Sequence, residues 1–486
     1  MNEATPNKGR PKKSNQLIEL LFDFPKCHWK GKAYLINKNQ ALEIGGSQFI
    51  DFTKRLYYNI FKDSINDNQI KDVAGILRAT TLVESPEKQV YFRTAAITET
   101  LTYIDLADNN NSIIEVTPDG WKKAENPDVV FFRPANIRPL PMPEQYGDIE
   151  LLRKFLNLKN DSDFLLIRTL LPFILRGRPG NRGSYAALYL TGPEGSAKST
   201  STKILKSIVD PGTPETRTPG SDVRDLYIGA ARCHVLNLDN LSHITRDYND
   251  ALCSIISGGG FARKLNYSDD EEMIFEACNM VFFNGISIKL MPDLMSRTFQ
   301  IELAVIPEEE RKTEADLWQE LEKLKPAILS GILTALSNAL KEYQKGFITP
   351  PLPRLADFGK FSIALERGNG WIEGKTLEAL KNNYEDGLEA IAEDNPVLCT
   401  LADELEARGT LEGTAAEILQ ILNHSADEKI QRLNMWPKTP AGLGNILSRQ
   451  YNVLKKMGIN IERGEGRDRR KYEITRANEV KIPNEK

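Results

Sequence analysis

Apolar positions along this chain change period several times. From about 16 to 145 they alternate in short runs, at Gln89 to Arg93, Leu101 to Leu106, Ile113 to Val116 and Val129 to Phe132. Asp108-Asn109-Asn110-Asn111 and Pro118-Asp119-Gly120 separate these runs. Alternation between turn signals predicts strands, hence a small α+β domain, closed by the proline-rich stretch Pro134 to Pro143. From Asp148 to Leu175 the spacing turns helical. Continuous apolar runs follow at Ala186 to Leu190, Val235 to Leu238, Met280 to Phe283 and Phe299 to Val305, with helical stretches between them, the pattern of a parallel sheet. Leu317, Leu321, Leu324, Ile328, Leu329, Ile332, Leu336 and Leu340 recur at helical spacing around Pro326 and predict a kinked helix pair. With further helices to about 395 this pair makes a lid.

The final module, about 397 to 478, predicts a helix with Leu443, Ile446, Leu447, Tyr451 and Leu454 inward and Arg449, Lys455 and Lys456 outward, stopped at Gly458. Ile459 to Ile461 and Lys471 to Ile474 then bracket a basic turn. The divisions expected are a basic tail at 1–15, domains at 16–145, 146–310, 311–396 and 397–478, and a second tail at 479–486.

Composition narrows the classes. At 486 residues the chain has room for about three domains. Its net charge of -4 means that nucleic-acid contact must come from local basic patches. No apolar run reaches membrane-spanning length and the polar, basic start has no signal-peptide core, so a cytoplasmic protein without a membrane partner is expected. Five scattered cysteines fit a reducing compartment, and Cys27-His28 and Cys233-His234 lack a second ligand pair at zinc spacing. Lys8-Gly9-Arg10-Pro11-Lys12-Lys13 lies in a stretch too polar to bury a core. It reads either as a minor-groove arm or as a solvated basic tail.

Chemistry concentrates in the middle third. The apolar run ending at Leu190 passes through Gly192-Pro193-Glu194-Gly195-Ser196-Ala197 into Lys198-Ser199-Thr200 and a helical pattern near Thr202. Strand, small-residue loop and helix in that order form a phosphate cradle. Backbone N–H groups and the helix dipole hold the anion, Lys198 reaches its outer phosphates, and the Ser199 hydroxyl can sit on Mg²⁺. Ala197 stands where this motif has its second glycine, which is costly only if its φ is positive. The run Val235 to Asp239 ends in a carboxylate, the form of a Walker B strand, so Asp239 is a second Mg²⁺ ligand. Asn284 ends the next strand, where it can orient water, and Arg297 stands at a helix end before the last.

The span from about 150 to 345 resembles the AAA+ ATPase core of superfamily III type helicases, as found in bacterial phage and mobile-element replication proteins. GPEGSAKST, VLNLDNLSHI, SGGGFARKLNYSDDEE, VFFNGI and PDLMSRTFQIEL carry the resemblance in order. It implies a P-loop α/β core with bound ATP and Mg²⁺, and a homo-oligomeric ring, usually hexameric, with Arg297 reaching the neighbour's ATP. Two departures stand out. Asn240 follows Asp239 where many relatives have a second acid, so either Asp239 does both jobs, or another acid such as Glu194 or Asp222 helps, or hydrolysis is slow. The hairpin tip, Tyr267 to Glu272, is aromatic and acidic where relatives have basic residues.

DNA contacts are expected at Arg263 and Lys264, with Tyr267 stacking on a base, although a solvated hairpin is the alternative. The last module resembles a winged helix whose wing carries Arg463, Arg467, Arg469, Arg470 and Lys471. Either duplex DNA or a protein is its partner. Two functions follow: an ATP-driven DNA helicase or translocase in mobile-element or phage replication, or a nucleotide-switched DNA-binding or defence assembly that oligomerises without unwinding.

Overall fold

The computed structural model describes residues 12–220, 222–264, 272–464 and 471–476. The basic motif at 8–11 lies outside them. The rest of the expected tail is folded: a helix spans Lys13–Phe22, buries Leu17 and Leu21, and Lys13 pairs with Asp63 at 2.9 Å.

Two sheets make up the first domain, one of five strands from Lys26–Trp29 to Val90–Tyr91 and one of four from Thr94–Thr98 to Gly120–Lys123. The helices Ser47–Phe61 and Asp67–Glu84 pack on the first sheet's core. The second of these begins in a capping box between Asn66 and Gln69. Asp105 is buried against Arg133, and Asp108 Oδ1 accepts from Ser112 N–H at 2.7 Å, so both carboxylates serve the fold.

The expected helix over Asp148 to Leu175 is two elements. A 3-10 turn spans Ile149–Phe155, and the α-helix begins only at Asp161 and runs to Arg176. Asp148 caps the turn, and the polar Asn157 to Asn160 stretch interrupts the apolar stripe.

Four parallel strands form the central sheet, in the order Val235–Leu241, Met280–Gly285, Ala187–Thr191, Thr298–Glu302. A single parallel bridge, Arg217 to Leu238, adds a fifth position beside the Val235–Leu241 strand. Both faces are covered, which explains why the strands read as continuous apolar runs. Leu188, Leu190, Phe282 and Phe299 point into one core with the helices Asp161–Arg176, Lys198–Val209 and Glu314–Lys345. Tyr189, Leu236, Val281 and Phe283 point into the other, with Leu226, Leu252 and Ile255.

The region around Pro326 is one 32-residue helix, Glu314–Lys345, and not a pair. An interior proline costs about 3 kcal/mol. Leu321, Ile328, Leu329, Ile332, Leu333, Leu336 and Leu340 are all buried along this helix, and at about 1.5–3 kcal/mol each their burial outweighs one break. The core it enters runs from Ile104 to Leu380, across three of the expected divisions.

A buried charge network ties the first domain to the central one. Arg93, fully buried, donates to Asp210 Oδ1 at 3.2 Å and to the carbonyls of Asp105 and Arg138 at 2.9 Å. Asp210, at the end of the Lys198–Val209 helix, also receives Lys206 Nζ at 2.9 Å and the N–H groups of His234 and Val235. Burial pushes its carboxyl upward, but Lys206 and Arg93 overturn this and hold it well below the usual range.

In the last module, the strands Thr410–Thr414, Lys471–Arg476 and Ile459–Arg463 form an antiparallel sheet in that order, with Lys471–Arg476 central. The expected single helix breaks at Gln450 into Pro440–Arg449 and Tyr451–Lys456. The break turns Tyr451 outward to 51% exposure, against the inward expectation. Lys456, expected to point outward, is paired with Glu385 at 2.9 Å and Glu389 at 3.2 Å of the Lys375–Glu393 helix. Among the described residues no helix is long and apolar enough to cross a membrane.

Candidate nucleotide site

The loop after the Ala187–Thr191 strand is built by three left-handed residues. Gly192 has φ 145°, and a Cβ there would stand 2.6 Å from Leu303 O, so only glycine fits. Gly195 has φ 79°, and Ala197 sits at φ 61°, ψ 31°. Ala197 therefore adopts the costly conformation, at about 1–2 kcal/mol for a residue with a Cβ. Buried Ser196 closes the turn by donating to Pro193 O at 2.9 Å.

The helix starts at Lys198, earlier than the sequence pattern near Thr202. The first intrahelical bond runs from Ser201 N–H to Ala197 O at 2.9 Å. The N–H groups of Lys198, Ser199 and Thr200 are thus the unpaired start of the helix, at its positive end. Lys198 Nζ folds over the loop and donates to Gly192 O at 2.8 Å and Pro193 O at 2.7 Å. Phosphate oxygens could replace those carbonyls at little cost in geometry.

Beside the loop, the next two strand ends meet through one amide. Asn284 Nδ2 donates to Asp239 Oδ1 at 2.8 Å, while its Oδ1 accepts from Asn240 N–H at 3.0 Å. Asn240 is left-handed at φ 55°, a conformation asparagine tolerates, and its side chain is exposed. Thr202 Oγ1 lies 3.4 Å from Asn284 Nδ2 and donates to Ser199 O at 3.0 Å. Sequence reading missed Thr202; its place one helical turn after Ser199 was the available signal. A carboxylate, a hydroxyl and open coordination positions for water match the donors Mg²⁺ prefers, and the loop's unpaired N–H groups match a polyphosphate. Of the two helper acids, Asp222 is committed to capping the Val223–Ala230 helix, whereas Glu194 is exposed on the loop.

Arg297 does not join this cluster. The parallel register pairs Ala187 with Thr298 and Thr191 with Glu302. Arg297 is therefore level with Ala186, at the amino edge of the sheet, roughly 20 Å of strand away from the loop that begins at Gly192. There its Nη1 donates to Asp293 O at 2.9 Å, and Asn249 Nδ2 holds the Asp293 carboxylate at 3.1 and 3.2 Å.

The hairpin leaves the same edge as paired strands Gly260–Lys264 and Glu272–Glu276. Arg263 and Lys264 lie in its first strand; their side chains, and Tyr267 altogether, lie outside the described residues. So do Arg467, Arg469 and Arg470. Arg463 donates to Ser448 Oγ at 2.9 Å and stacks over Tyr472 at 5.0 Å, which fixes it at the base of the turn. Lys471 is exposed on the neighbouring strand.

Two family models match the chain in succession. Residues 162–389 match the actinomycete integrative conjugative element replication protein, and residues 397–484 match the RepA C-terminal domain of the same elements. Among solved structures, the A-form apo structure of the NrS-1 C-terminal region (305–718) is similar over 96% of this chain and 99% of its own, at 11% identity and TM-score 0.40. A JCV helicase bound to a small molecule is similar over 46% of this chain and 64% of its own, at 16% identity and TM-score 0.22. No curated protein matches the sequence.

Proposed function

We propose that this chain, a replication protein of a mobile element, is an ATP-driven DNA motor whose central sheet is a P-loop ATPase of the AAA+ type. The observation that carries this reading is the convergence of Asn284 and Asp239 at the carboxyl edge of the sheet, beside the loop that ends in Lys198. The strand order supports it: loop strand between the Asn284 and Arg297 strands, acid strand next, with the Arg217 bridge outermost.

Each residue then has a physical task. The N–H groups of the loop and of Lys198, Ser199 and Thr200 hold the inner phosphates, and Lys198 exchanges its carbonyl partners for phosphate oxygens. Ser199 and Asp239 hold Mg²⁺, which supplies charge neutralisation to the phosphoryl group when bound. Asn284 fixes the orientation of Asp239. Arg297, being at the far edge, acts on the site of a neighbouring copy in a ring. The C-terminal module runs helix, strand, four helices and then two paired strands, which supports a winged-helix reading, and in that reading it supplies a duplex contact through Arg463, Lys471 and the arginines of the turn.

Unwinding of a forked DNA substrate with ATP tests the proposal. Wild type separates strands; Lys198→Ala abolishes nucleotide binding and unwinding; Arg297→Ala retains binding but loses about 10³-fold or more in turnover. Wild type that hydrolyses ATP on DNA yet never separates strands would overturn the unwinding claim. The second reading, a nucleotide-switched assembly, is favoured by one feature: the exposed side chain after Asp239 is Asn240, so that position offers no base. Light scattering with and without ATP, beside turnover rates, separates the two.

A further inference from the structure

The chain leaving the Thr298–Glu302 strand folds back over the loop. Leu303 N–H donates to Thr191 O at 2.9 Å, and Leu303 O is the atom that excludes a side chain at Gly192. After Pro307 a 3-10 turn at Glu308–Glu310 returns the backbone, so that a Cβ on Gly195 would lie 3.7 Å from Arg311 Nη2. Arg311 Nε donates to Ile306 O at 3.3 Å. Among the described residues its terminal nitrogens have no hydrogen-bond or ion-pair partner, although three glutamates precede it. Its neighbour Lys312, by contrast, is paired with Glu320 at 2.7 Å.

We propose that Arg311 is a second cation of the nucleotide site, supplied by the same chain, and that it contacts the terminal phosphate of a bound nucleoside triphosphate. This assignment rests on the nucleotide reading of the loop and adds to it a residue far from the motif in sequence. The chemistry favours the terminal phosphate. Inner phosphates find their donors in the loop and helix start, and Lys198 is a point charge tethered at the Gly192 end. A planar guanidinium anchored through Nε has two nitrogens left for paired bonds to one phosphate. The return turn between Pro307 and Arg311 sets its reach, so the residue reads the number of phosphates and not the base.

Isothermal titration calorimetry of the full chain with ATPγS and with ADP, each with Mg²⁺, tests the assignment. Arg311→Ala is expected to weaken ATPγS about tenfold, about 1.4 kcal/mol, and to leave ADP within about twofold; Arg311→Lys falls between. A change of equal size for both nucleotides, or for neither, overturns the role of Arg311. Arg311 is exposed, and an unchanged melting temperature in Arg311→Ala establishes that the fold is intact. Wild type binding neither nucleotide overturns the reading of the loop itself, and this assignment with it. Retained binding in wild type together with an indifferent Arg311→Ala overturns the assignment alone.

Discussion

Ala197 is the residue at which sequence and backbone disagree most plainly. Its left-handed φ of 61° is the one a glycine would take without cost. The sequence motif showed that a glycine was replaced; only the backbone shows that the replacement is strained. Ala197→Gly is therefore expected to stabilise the protein by about 1 kcal/mol, read as a raised denaturant midpoint. Nucleotide affinity should stay the same or improve, since the loop keeps its path. No gain in stability would mean that the unfolded chain's added freedom cancels the relief. Asn240 shows the opposite relation. It too is left-handed, yet asparagine suits that conformation, and the hydrogen bond from its N–H to Asn284 fixes it there.

Among elements, the strands of the central sheet were legible because both of their faces are buried. Continuous runs such as Val235 to Leu238 and Met280 to Phe283 admit few other readings, and each ends at a residue of the candidate site. Elements whose limits are set by tertiary packing were not legible. The proline in Glu314–Lys345 predicts a break that the surrounding core overrides. Gln450 carries no breaking signal, yet the helix divides there and turns Tyr451 outward. The Asn66 capping box before Asp67–Glu84 was available in the sequence, between two helices that the reading of alternating strands over 16 to 145 passed over. Arg311 had no motif at all, because its closeness to Gly195 depends on a chain reversal more than a hundred residues later.

Over the whole molecule, the first domain is fastened to the end of the Lys198–Val209 helix through Arg93 and Asp210. Arg93→Ala leaves Asp210 buried with one cation fewer and is expected to cost about 3–5 kcal/mol. The double variant Arg93→Met, Asp210→Asn should cost no less than Arg93→Ala, since it leaves Lys206 buried without its counter-ion. The network also sets a pH dependence. Asp210, held low, contributes stability that is complete above its ordinary 3.8 and is lost as pH falls toward its folded value. His234 is lowered from 6.5 by burial, so its contribution is complete above 6.5 and declines below it. Asp163, raised to about 6 by burial, works in the other direction, gaining stability for the fold as pH falls through that range. Stability curves of wild type and His234→Gln should therefore diverge below about 6.5, with wild type steeper by up to about 1.4 kcal/mol per pH unit. Parallel curves would show that His234 titrates alike in the folded and unfolded chain.

The placement of Arg297 at the opposite edge of the sheet from Lys198 has a kinetic corollary. On the proposed ring, a lone copy carries both halves of a hydrolytic site without ever closing one, so the rate per molecule should rise with protein concentration before reaching a plateau. Lys198→Ala and Arg297→Ala, each inactive, should then recover partial turnover when mixed, because an intact loop on one copy can face an intact arginine on another. The recovered fraction should follow the statistics of random assortment in the proposed assembly, and a mixture as silent as its components would place the arginine's work within its own chain.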